Sequence, residues 1–387
     1  MNEKSPELFI ICADTLETAL TQELEGLGFD EISPGFRGVY IPATMDAVYR
    51  INYCSRIASR VLWPIKKFHC EDQEALYKMA RQIEWSDYMS VSDSFAIDAN
   101  VNHRKLRNSL YATQVVKDAI CDYFREKTDE RPNVDLKNAD VRFNLFIDKS
   151  RATISLDSSG GPLFKRGYRT EQVEATMQET LAAAILLIAG YTGEQILYDP
   201  CCGSGTFLIE AAMIASNTAP GFLRKKWGFM RLPSYSQEEW LRVKEEIDSK
   251  KRPLGKGKFF GLDINATAVQ ATKIHLRATG FYQFVRIDKG DFCEYKPPVS
   301  PDFIVCNLPY GKRLGEEEQL RPLYRELGFV MRGIAKRPGK AFVLTGNLNL
   351  SKGLLLKPTR RHVMKNGGIE CRLLEFDFEE KEKFLKG

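Results

Sequence analysis

No two of the nine cysteines have the C-x-x-C spacing of a zinc site or a redox pair, and the four histidines are scattered along the chain. We therefore predict no structural metal, and reduced thiols rather than disulfides. The longest apolar run, residues 181–189, is nine residues long, whereas a membrane-spanning helix needs about 20. The N-terminus has neither the basic start nor the apolar stretch of a secretory signal. These absences argue against the membrane and secreted classes and predict a cytoplasmic protein.

The composition is that of a globular protein, and the charge is unevenly distributed. The 387 residues are 43% hydrophobic and 28% charged, with a net charge of +5, and this length predicts two or three domains. Residues 1–160 carry 20 basic and 25 acidic side chains, whereas residues 161–387 carry 36 and 26. Within the first part, residues 101–150 reverse the sign, with 10 basic against 8 acidic. Basic regions indicate a polyanionic partner, although any single cluster is more often a solvated face.

The N-terminal part has the pattern of two small α+β units. Residues 1–59 alternate short apolar strands with helical periodicity. Residues 60–158 contain a strand, a basic turn, a long helix and a hairpin. Residues 159–175, which begin with serine, glycine and proline, are predicted to be a linker.

The pattern changes after the linker, in residues 176–387. Near-continuous apolar strands alternate there with helical stretches, which predicts a Rossmann-like doubly wound α/β domain. The predicted strands of this domain are residues 195–199, 259–262, 284–287, 303–306, 341–345 and 369–378.

A glycine-containing turn lies between the first of these strands and the next helix, where α/β sheets bind ligands. The spacing of Gly203 and Gly205 lacks the third glycine of a dinucleotide fingerprint, since Leu208 stands in its place. Acidic residues end three successive strands, which disfavours phosphate and favours a cationic ligand, S-adenosylmethionine rather than NAD or ATP. Singly, each acid is more often a helix cap or a solvated turn. The predicted cofactor residues are Asp199, Pro200, Gly203, Gly205, Thr206, Asp263, Asp291 and Phe292.

The strand at residues 303–306 leads into Asn307, Leu308, Pro309 and Tyr310. These four residues resemble the (Asn/Asp)-(Pro/Leu)-Pro-(Tyr/Phe) motif of amino-directed methyltransferases. An exocyclic amine is a poor nucleophile because its lone pair is delocalised into the ring. The Asn307 oxygen and the Leu308 carbonyl would accept its two N–H bonds, and Pro309 would fix the direction of that carbonyl. Tyr310 would stack on an unpaired base.

Two other interpretations of this region stay open. Proline and glycine mark turns everywhere, so the segment alone could be a strand-end turn. Cytosine-5 methylation would need a cysteine nucleophile. Cys306 lies inside the predicted strand, and Cys201 and Cys202 lie in the glycine turn, so packing is the favoured role for all three.

The whole chain resembles the THUMP-containing RNA guanine-N2 methyltransferases, and most of all the bacterial family that modifies 23S ribosomal RNA. The resemblance rests on residues 95–97, 103–107 and 134–136 for a THUMP domain, on the linker segment 164–169, and on residues 179–182 at the entry to the catalytic domain. Residues 219–222 and Trp240 match an insertion after the nucleotide turn. The family usually has proline where this chain has Leu308.

The resemblance implies a ferredoxin-like unit at 1–59, an RNA-binding THUMP domain at 60–158 and a methyltransferase domain at 176–387. It implies transfer of a methyl group from S-adenosylmethionine to the N2 amine of a guanine in structured RNA. Transfer RNA, N6 of adenine in DNA or RNA, and a non-enzymatic assembly factor with a vestigial cofactor site remain alternatives. No membrane and no obligate protein partner is expected.

Basic clusters supply the expected contacts to RNA phosphates. One of them is interleaved with aromatic residues at positions 222, 227 and 229, a pattern that favours a nucleic-acid surface. The predicted RNA-binding residues are Arg104, Lys105, Arg107, Lys165, Arg166, Arg169, Arg224, Lys225 and Lys226.

Overall fold

The structure, a computed structural model, describes residues 6–106, 108–170, 177–310 and 316–380. Within these ranges no helix combines the length and the apolar character that crossing a bilayer requires. The same ranges contain no group of three or more His, Cys, Asp or Glu side chains arranged to hold a metal ion. The predicted RNA-binding residue Arg107 lies outside the described residues.

The described chain folds into strands and α-helices. Strands and helices are numbered separately, each in chain order, and the residue ranges show how they alternate. The strands are β1 (Glu7–Ile11), β2 (Ser33–Gly35), β3 (Gly38–Pro42), β4 (Arg60–His69), β5 (Phe95–Asn102), β6 (Val141–Asp148), β7 (Arg151–Asp157), β8 (Leu197–Asp199), β9 (Phe259–Asp263), β10 (Val285–Lys289), β11 (Phe303–Asn307), β12 (Gly339–Thr345), β13 (Arg360–Asn366) and β14 (Ile369–Phe378). The helices are α1 (Glu17–Gly26), α2 (Met45–Cys54), α3 (Gln73–Arg81), α4 (Ser109–Thr128), α5 (Glu179–Ile188), α6 (Thr206–Ala215), α7 (Gln237–Asp248), α8 (Ala266–Thr279), α9 (Glu316–Ile334) and α10 (Leu348–Ser351).

The chain divides into two compact units. The first comprises the described residues of 1–12 together with Leu20–Leu163 and Arg224–Ile247. The second comprises Ala13–Ala19, Phe164–Leu223 and the described residues from Asp248 onward. The domain boundaries predicted at residues 59, 158 and 175 stay predictions. The division into compact units shows, in addition, that residues 224–247 pack with the first unit.

One seven-stranded sheet, in the order β2-β3-β1-β4-β7-β6-β5, forms the centre of the first unit. β4 joins its two halves, because it pairs antiparallel with β1 on one side and with β7 on the other. The sequence pattern did not predict β4. Pro64 interrupts its alternation, and the register with β7 shifts between Pro64 and Lys66, as expected of a bulge that accommodates a proline.

The start of the predicted linker is packed rather than exposed. Ser158 and Ser159 are fully buried, and the Ser158 hydroxyl donates to the Val61 carbonyl at 2.7 Å. Gly160 has a φ of +68°, and a Cβ there would lie 2.8 Å from the backbone nitrogen of Gly228. Glycine is needed at position 160 because two backbones touch there.

The second unit is built on a sheet in the order β10-β9-β8-β11-β12-β14-β13. β8 to β12 pair in parallel, whereas β14 is antiparallel to β12 and to β13. The predicted Rossmann-like fold is therefore confirmed, with β13 as an edge strand that the sequence pattern did not predict. Local sequence signals set the ends of the helices, as α8 shows. The Asn265 side chain caps its start by accepting from the Thr267 N–H at 2.8 Å, and Gly280, with a φ of +79°, ends it.

Candidate active site

The candidate site lies at the carboxyl ends of three neighbouring strands of the second sheet. β8 pairs with β9 on one side and with β11 on the other, so the strand order reverses beside β8. In doubly wound sheets a ligand binds in the crevice at this reversal. β8 ends at Asp199, β9 at Asp263 and β11 at Asn307. The fold thus brings predicted cofactor residues and the predicted catalytic segment to one sheet edge.

The turn between β8 and α6 is held to the neighbouring strand and helix by its own backbone groups. The N–H of Gly203 donates to Oδ2 of Asp263 at 2.8 Å, and the N–H of Cys202 donates to the Leu262 carbonyl at 2.9 Å. The hydroxyl of Thr272, on α8, donates to the Gly203 carbonyl at 2.7 Å. These hydrogen bonds fix the conformation of the turn.

The two glycines of this turn have different physical reasons to be glycine. Both have positive φ, +54° at Gly203 and +78° at Gly205, a region that other residues rarely adopt. A Cβ at Gly205 would lie 2.5 Å from Cγ2 of Thr272, whereas a Cβ at Gly203 would meet nothing within 4 Å. Gly205 thus permits close packing, and Gly203 leaves open space next to the backbone that a ligand can occupy.

Three aspartate side chains surround the turn. Asp199 is 1% exposed, and its carboxylate accepts the Cys201 N–H at 3.2 Å. Burial raises the pKa of Asp199 well above its usual value. Asp263 also accepts the Asn265 N–H at 2.9 Å, and the exposed Asp291 accepts the Cys293 N–H at 2.9 Å.

None of these three aspartates forms an ion pair with a described lysine, arginine or histidine. Their charge therefore stays available to a ligand. An edge of this kind repels phosphate and suits a cation combined with hydroxyl groups.

Other predicted cofactor residues lie nearby, in the interior. Pro200 is buried, and the hydroxyl of Thr206, the first residue of α6, accepts from Arg169 at 3.0 Å. Phe292 is 5% exposed and packs in the core cluster that also contains Leu262 and Tyr198. A stacking role for Phe292 remains a prediction.

A residue that the sequence interpretation did not select is Ile264. It lies between Asp263 and the helix cap Asn265, and it is 68% exposed. An exposed branched apolar side chain at a ligand-binding edge suits the flat face of a ring. The sequence did contain a signal for Ile264. It is a bulky apolar residue directly after an acidic strand end, a position where polar helix-capping residues are common.

The predicted catalytic segment begins at the end of β11. Oδ1 of Asn307 is buried and accepts no hydrogen bond from any described residue. Leu308 is buried, Pro309 is exposed and Tyr310 is partly buried. The Tyr310 hydroxyl accepts from Nδ2 of Asn366 at 3.2 Å, and its ring packs so closely on Gly346 that a Cβ there would lie 2.8 Å from it.

The cysteines near the site are not poised as nucleophiles. Cys306 is fully buried in β11, and burial raises the pKa of its thiol well above the usual value. Burial does the same to the thiols of Cys201 and Cys202. The thiolate is the reactive form, so these residues fit packing and not cytosine-5 chemistry.

The structure corrects several predicted RNA contacts. Arg166 is 3% exposed, and its Nε lies 3.4 Å from Oε1 of the buried Glu210. Arg169 donates to Thr206 and lies 3.5 Å from Glu179. A buried arginine that pairs with a buried carboxylate is not available to phosphate, so Arg166 supports the domain from inside. The Arg169 side chain is 21% exposed, but its guanidinium is engaged by Thr206 and Glu179.

Arg224 is also structural. Its guanidinium donates to the carbonyls of Ser159 and Pro162 at 3.1 and 2.9 Å and lies 5.1 Å from the centre of the Trp227 ring. The aromatic residues around it, Trp227 and Phe229, are buried. The prediction of an aromatic RNA surface here was wrong, because these rings form the core of the first unit.

The remaining predicted RNA-binding residues are exposed. They are Arg104, Lys105, Lys165, Lys225 and Lys226. Nδ1 of His103 accepts the N–H groups of Lys105 and Leu106 at 3.1 and 3.0 Å and so shapes the first basic turn. Lys105 lies 3.6 Å from Asp72, an exposed pairing that an RNA phosphate can replace.

The fold and the site together define a Rossmann-like methyltransferase domain that follows an α+β N-terminal part. Comparison with known families agrees with this class. An RMKL-like methyltransferase domain matches residues 166–375, a THUMP domain matches residues 70–157, and the RlmL ferredoxin-like domain matches residues 7–62. The chain belongs to this family of THUMP-containing RMKL-like methyltransferases, which confirms the resemblance seen in the sequence.

Three similar proteins illustrate the family. A ribosomal RNA large subunit methyltransferase K/L of Syntrophotalea carbinolica is 38% identical over 98% of this chain and 54% of its own length. A Synechocystis protein described as a candidate RNA methyltransferase is 35% identical over 95% of this chain and 96% of its own length. The solved structure of SMU.472, described as a candidate methyltransferase complexed with SAH, has a TM-score of 0.84 and 25% identity and covers 98% of this chain and 100% of its own. The chain spans about half the length of the K/L relatives.

Proposed function

We propose that the chain transfers the methyl group of S-adenosylmethionine to the exocyclic N2 amine of a guanine in structured RNA, and that this RNA is 23S ribosomal RNA. The observation that carries the proposal is the buried Oδ1 of Asn307, which accepts no hydrogen bond from the described residues. Leaving a buried acceptor unpaired is costly. An amine of the target base would supply the missing donor.

The catalytic segment activates the amine by orienting it. Oδ1 of Asn307 and the carbonyl of Leu308 each accept one N–H, which favours a pyramidal nitrogen whose lone pair is free. The ring of Pro309 fixes φ and so limits the directions of that carbonyl. The nitrogen then forms the new N–CH₃ bond, and its surplus proton leaves to solvent. The rate comes from proximity and alignment, since no strong base is needed.

The carboxylates at the sheet edge hold the cofactor. When bound, S-adenosylmethionine supplies an electrophilic methyl group on a sulfonium, which becomes a neutral thioether as the methyl leaves. We assign its ammonium group to Asp199, its ribose hydroxyls to Asp263 and its adenine amine to Asp291. The open space beside Gly203 admits the amino-acid part, and Ile264 contacts the adenine face. The assignment of Asp199 is supported by its burial and by the lack of an ion pair with any described lysine, arginine or histidine, and that of Ile264 by its exposure.

The two glycines of the turn will respond differently to substitution. We expect Gly205→Ala to lower the free energy of unfolding by about 2–4 kcal/mol, because the new Cβ collides with Thr272 and φ is positive. Gly203→Ala should cost only about 1–2 kcal/mol of backbone strain and yet weaken S-adenosylhomocysteine binding at least as much as Gly205→Ala does. Chemical denaturation and calorimetric titration measure both effects. Equal stability losses in the two variants would contradict the distinction.

The choice of RNA rests on two observations. A THUMP domain precedes the methyltransferase domain, and the K/L relatives are named for large-subunit ribosomal RNA. We propose further that the reaction takes place in the cytoplasm. It should need no second protein, because one sheet edge of this chain carries both the cofactor residues and the catalytic segment.

The proposal is tested by incubating the protein with methyl-labelled cofactor and either unmodified ribosomal RNA or unmodified transfer RNA, followed by nucleoside analysis. We expect N2-methylguanosine in 23S RNA alone. Labelled N6-methyladenosine would overturn the assignment of the base, and label confined to transfer RNA would overturn the assignment of the substrate. RNA binding without cofactor binding in calorimetry would favour an assembly factor.

The exposed lysines of the insertion offer a test of the RNA surface. Replacing Lys225 and Lys226 together with alanine should weaken RNA binding and lower the slope of log K against log salt by about one to two, because each lysine neutralises one phosphate. Filter binding at several salt concentrations measures the slope. Lys78→Ala, on α3 of the same unit, is the matched control. An unchanged slope in the double variant would show that these lysines do not face RNA.

A further inference from the structure

Two buried hydroxyl groups lie behind the catalytic segment. Tyr324, on α9, is 0% exposed, and its hydroxyl lies 3.3 Å from the carbonyl oxygen of Pro309 and 2.8 Å from Oγ1 of Thr345. Thr345 is the last residue of β12 and is also buried. Its Oγ1 accepts the N–H of Asn347 at 3.1 Å. The carbonyl of Pro309 is thus connected through two hydroxyls to the end of a central strand.

The chemistry of these groups assigns the direction of each hydrogen bond. Burial raises the pKa of Tyr324 above its ordinary value, so the phenol keeps its proton. A carbonyl oxygen can only accept, so the single proton of Tyr324 is donated to Pro309. With the Tyr324 proton on Pro309, the Tyr324 oxygen can accept the proton of Thr345 at 2.8 Å, a shorter contact than the 3.3 Å from Oγ1 of Thr345 to the Asn347 carbonyl. The Thr345 oxygen itself accepts the Asn347 N–H. The three groups form one directed relay.

The relay fixes the one backbone angle of Pro309 that its ring leaves free. The pyrrolidine ring sets φ, and the hydrogen bond on the carbonyl sets ψ. With both angles held, the peptide planes on either side of Pro309 keep a constant relation. One of those planes carries the Leu308 carbonyl, and the other carries the N–H of Tyr310.

The far end of the segment is anchored independently. Asn366, in the last position of β13, donates to the Tyr310 hydroxyl at 3.2 Å, and Gly346 leaves room for the Tyr310 ring. The aromatic ring is therefore held by the hairpin of β13 and β14, while the backbone before it is held by α9 and β12. Loss of the Tyr324 hydroxyl would loosen the Leu308 carbonyl without freeing the Tyr310 ring.

We propose that Tyr324 is a positioning residue for methyl transfer, which aligns the Leu308 carbonyl with the amine of the target base, and that Thr345 orients its hydroxyl. The inference rests on the proposed function, because it names the residues that hold its catalytic segment. Neither residue touches the substrate. A small misalignment of reacting groups can cost about 10²-fold in rate, so the contribution of Tyr324 should appear in kcat and not in binding.

The test is Tyr324→Phe, which removes only the hydroxyl from a buried ring. We expect kcat on RNA to fall by about 10- to 100-fold, with KM for RNA and the affinity for S-adenosylhomocysteine changed less than about twofold. Thr345→Val should lower kcat in the same sense, Thr345→Ser should restore it, and the double variant should lose less than the product of the single losses. Tyr77→Phe, which removes a hydroxyl bonded to Asp122 at 2.8 Å in the first unit, is the matched control.

A second readout does not depend on activity. Hydrogen exchange in a peptide that ends at residue 310, measured by mass spectrometry, should be about fivefold faster in Tyr324→Phe, because the hydrogen bond that holds the segment at the Pro309 carbonyl is lost. Wild-type kcat together with wild-type exchange would overturn the inference. So would parallel losses of kcat, cofactor affinity and melting temperature, since these indicate a merely structural residue. If the unsubstituted protein fails to methylate RNA, the proposed function fails, and the exchange rate alone decides the inference.

Discussion

Asn307→Ala will leave S-adenosylhomocysteine affinity nearly unchanged and will slow RNA methylation by about 10²–10³-fold, the usual cost of removing one aligned hydrogen-bonding group from a reacting centre. Oδ1 of Asn307 is buried at the end of β11 and has no described donor. The substitution therefore removes an acceptor that no described residue uses and that we assign to the amine of the target base. Single-turnover kinetics and calorimetric titration measure the two quantities.

Two further variants sharpen this result. Asn307→Asp keeps an acceptor in the same place and should retain much more activity than Asn307→Ala. Asn349→Ala, an equal truncation at an exposed position of α10, should leave turnover unchanged. A loss of cofactor affinity greater than about tenfold in Asn307→Ala would mean that Asn307 contacts the cofactor and not the amine.

Asp199→Asn will weaken S-adenosylhomocysteine binding by about 10²-fold and will make the ligand-free protein more stable. The loss of affinity follows from removing one partner of a buried charge pair, which costs about 2–5 kcal/mol. The gain in stability follows from burial, which raises the pKa of Asp199 because the charged form is poorly solvated. The asparagine oxygen can still accept the Cys201 N–H.

The sign of the pH dependence follows from the same shift. As pH rises above 3.8, the ordinary value for Asp199, the carboxyl ionises in the unfolded chain before it does so in the folded one. Its contribution to stability therefore declines with pH up to the folded-state pKa, and cofactor affinity rises over the same range as the carboxylate forms. Asp199→Asn should remove both slopes.

A matched control for Asp199→Asn lies at the other end of the parallel strands of the same sheet, where β11 begins. Asp302, just before β11, accepts the Ile196 N–H at 2.9 Å and pairs with Lys336 at 2.6 Å. Asp302→Asn should lower stability and leave cofactor affinity unchanged. If Asp199→Asn behaved in the same way, Asp199 would be a structural residue and its assignment to the ammonium group would be wrong.

Elements with a strong local pattern were predictable from the sequence. Strand β14 has the predicted limits, Ile369–Phe378, because an apolar strand closes the sheet, and helix α6 follows the glycine turn as predicted. β4 was missed because a bulge at Pro64 breaks its alternation. β13 was missed because an edge strand can be mostly polar, as Arg360–Asn366 is, with Val363 and Met364 as its only apolar residues.

The strand ends that carry the predicted site residues were also visible in the sequence, whereas the partners of individual side chains were not. A basic and aromatic segment has the same composition whether it faces RNA or the core. Trp227 and Phe229 pack with Tyr49 and Tyr53, which lie far away in the chain. Pairing of Arg166 with Glu210 depends on contacts between separate elements. No local pattern indicates such contacts, and the Tyr324 relay is hidden for the same reason.

The central claim, N2-methylation of a guanine in 23S RNA, is tested most directly by comparing RNA modification maps of cells with and without the protein. We predict that one N2-methylguanosine in 23S RNA disappears without the protein, returns with the unsubstituted chain, and does not return with Asn307→Ala. Unchanged N2-methylguanosine in 23S RNA, accompanied by loss of a methylated adenosine or of a transfer RNA modification, would contradict the claim.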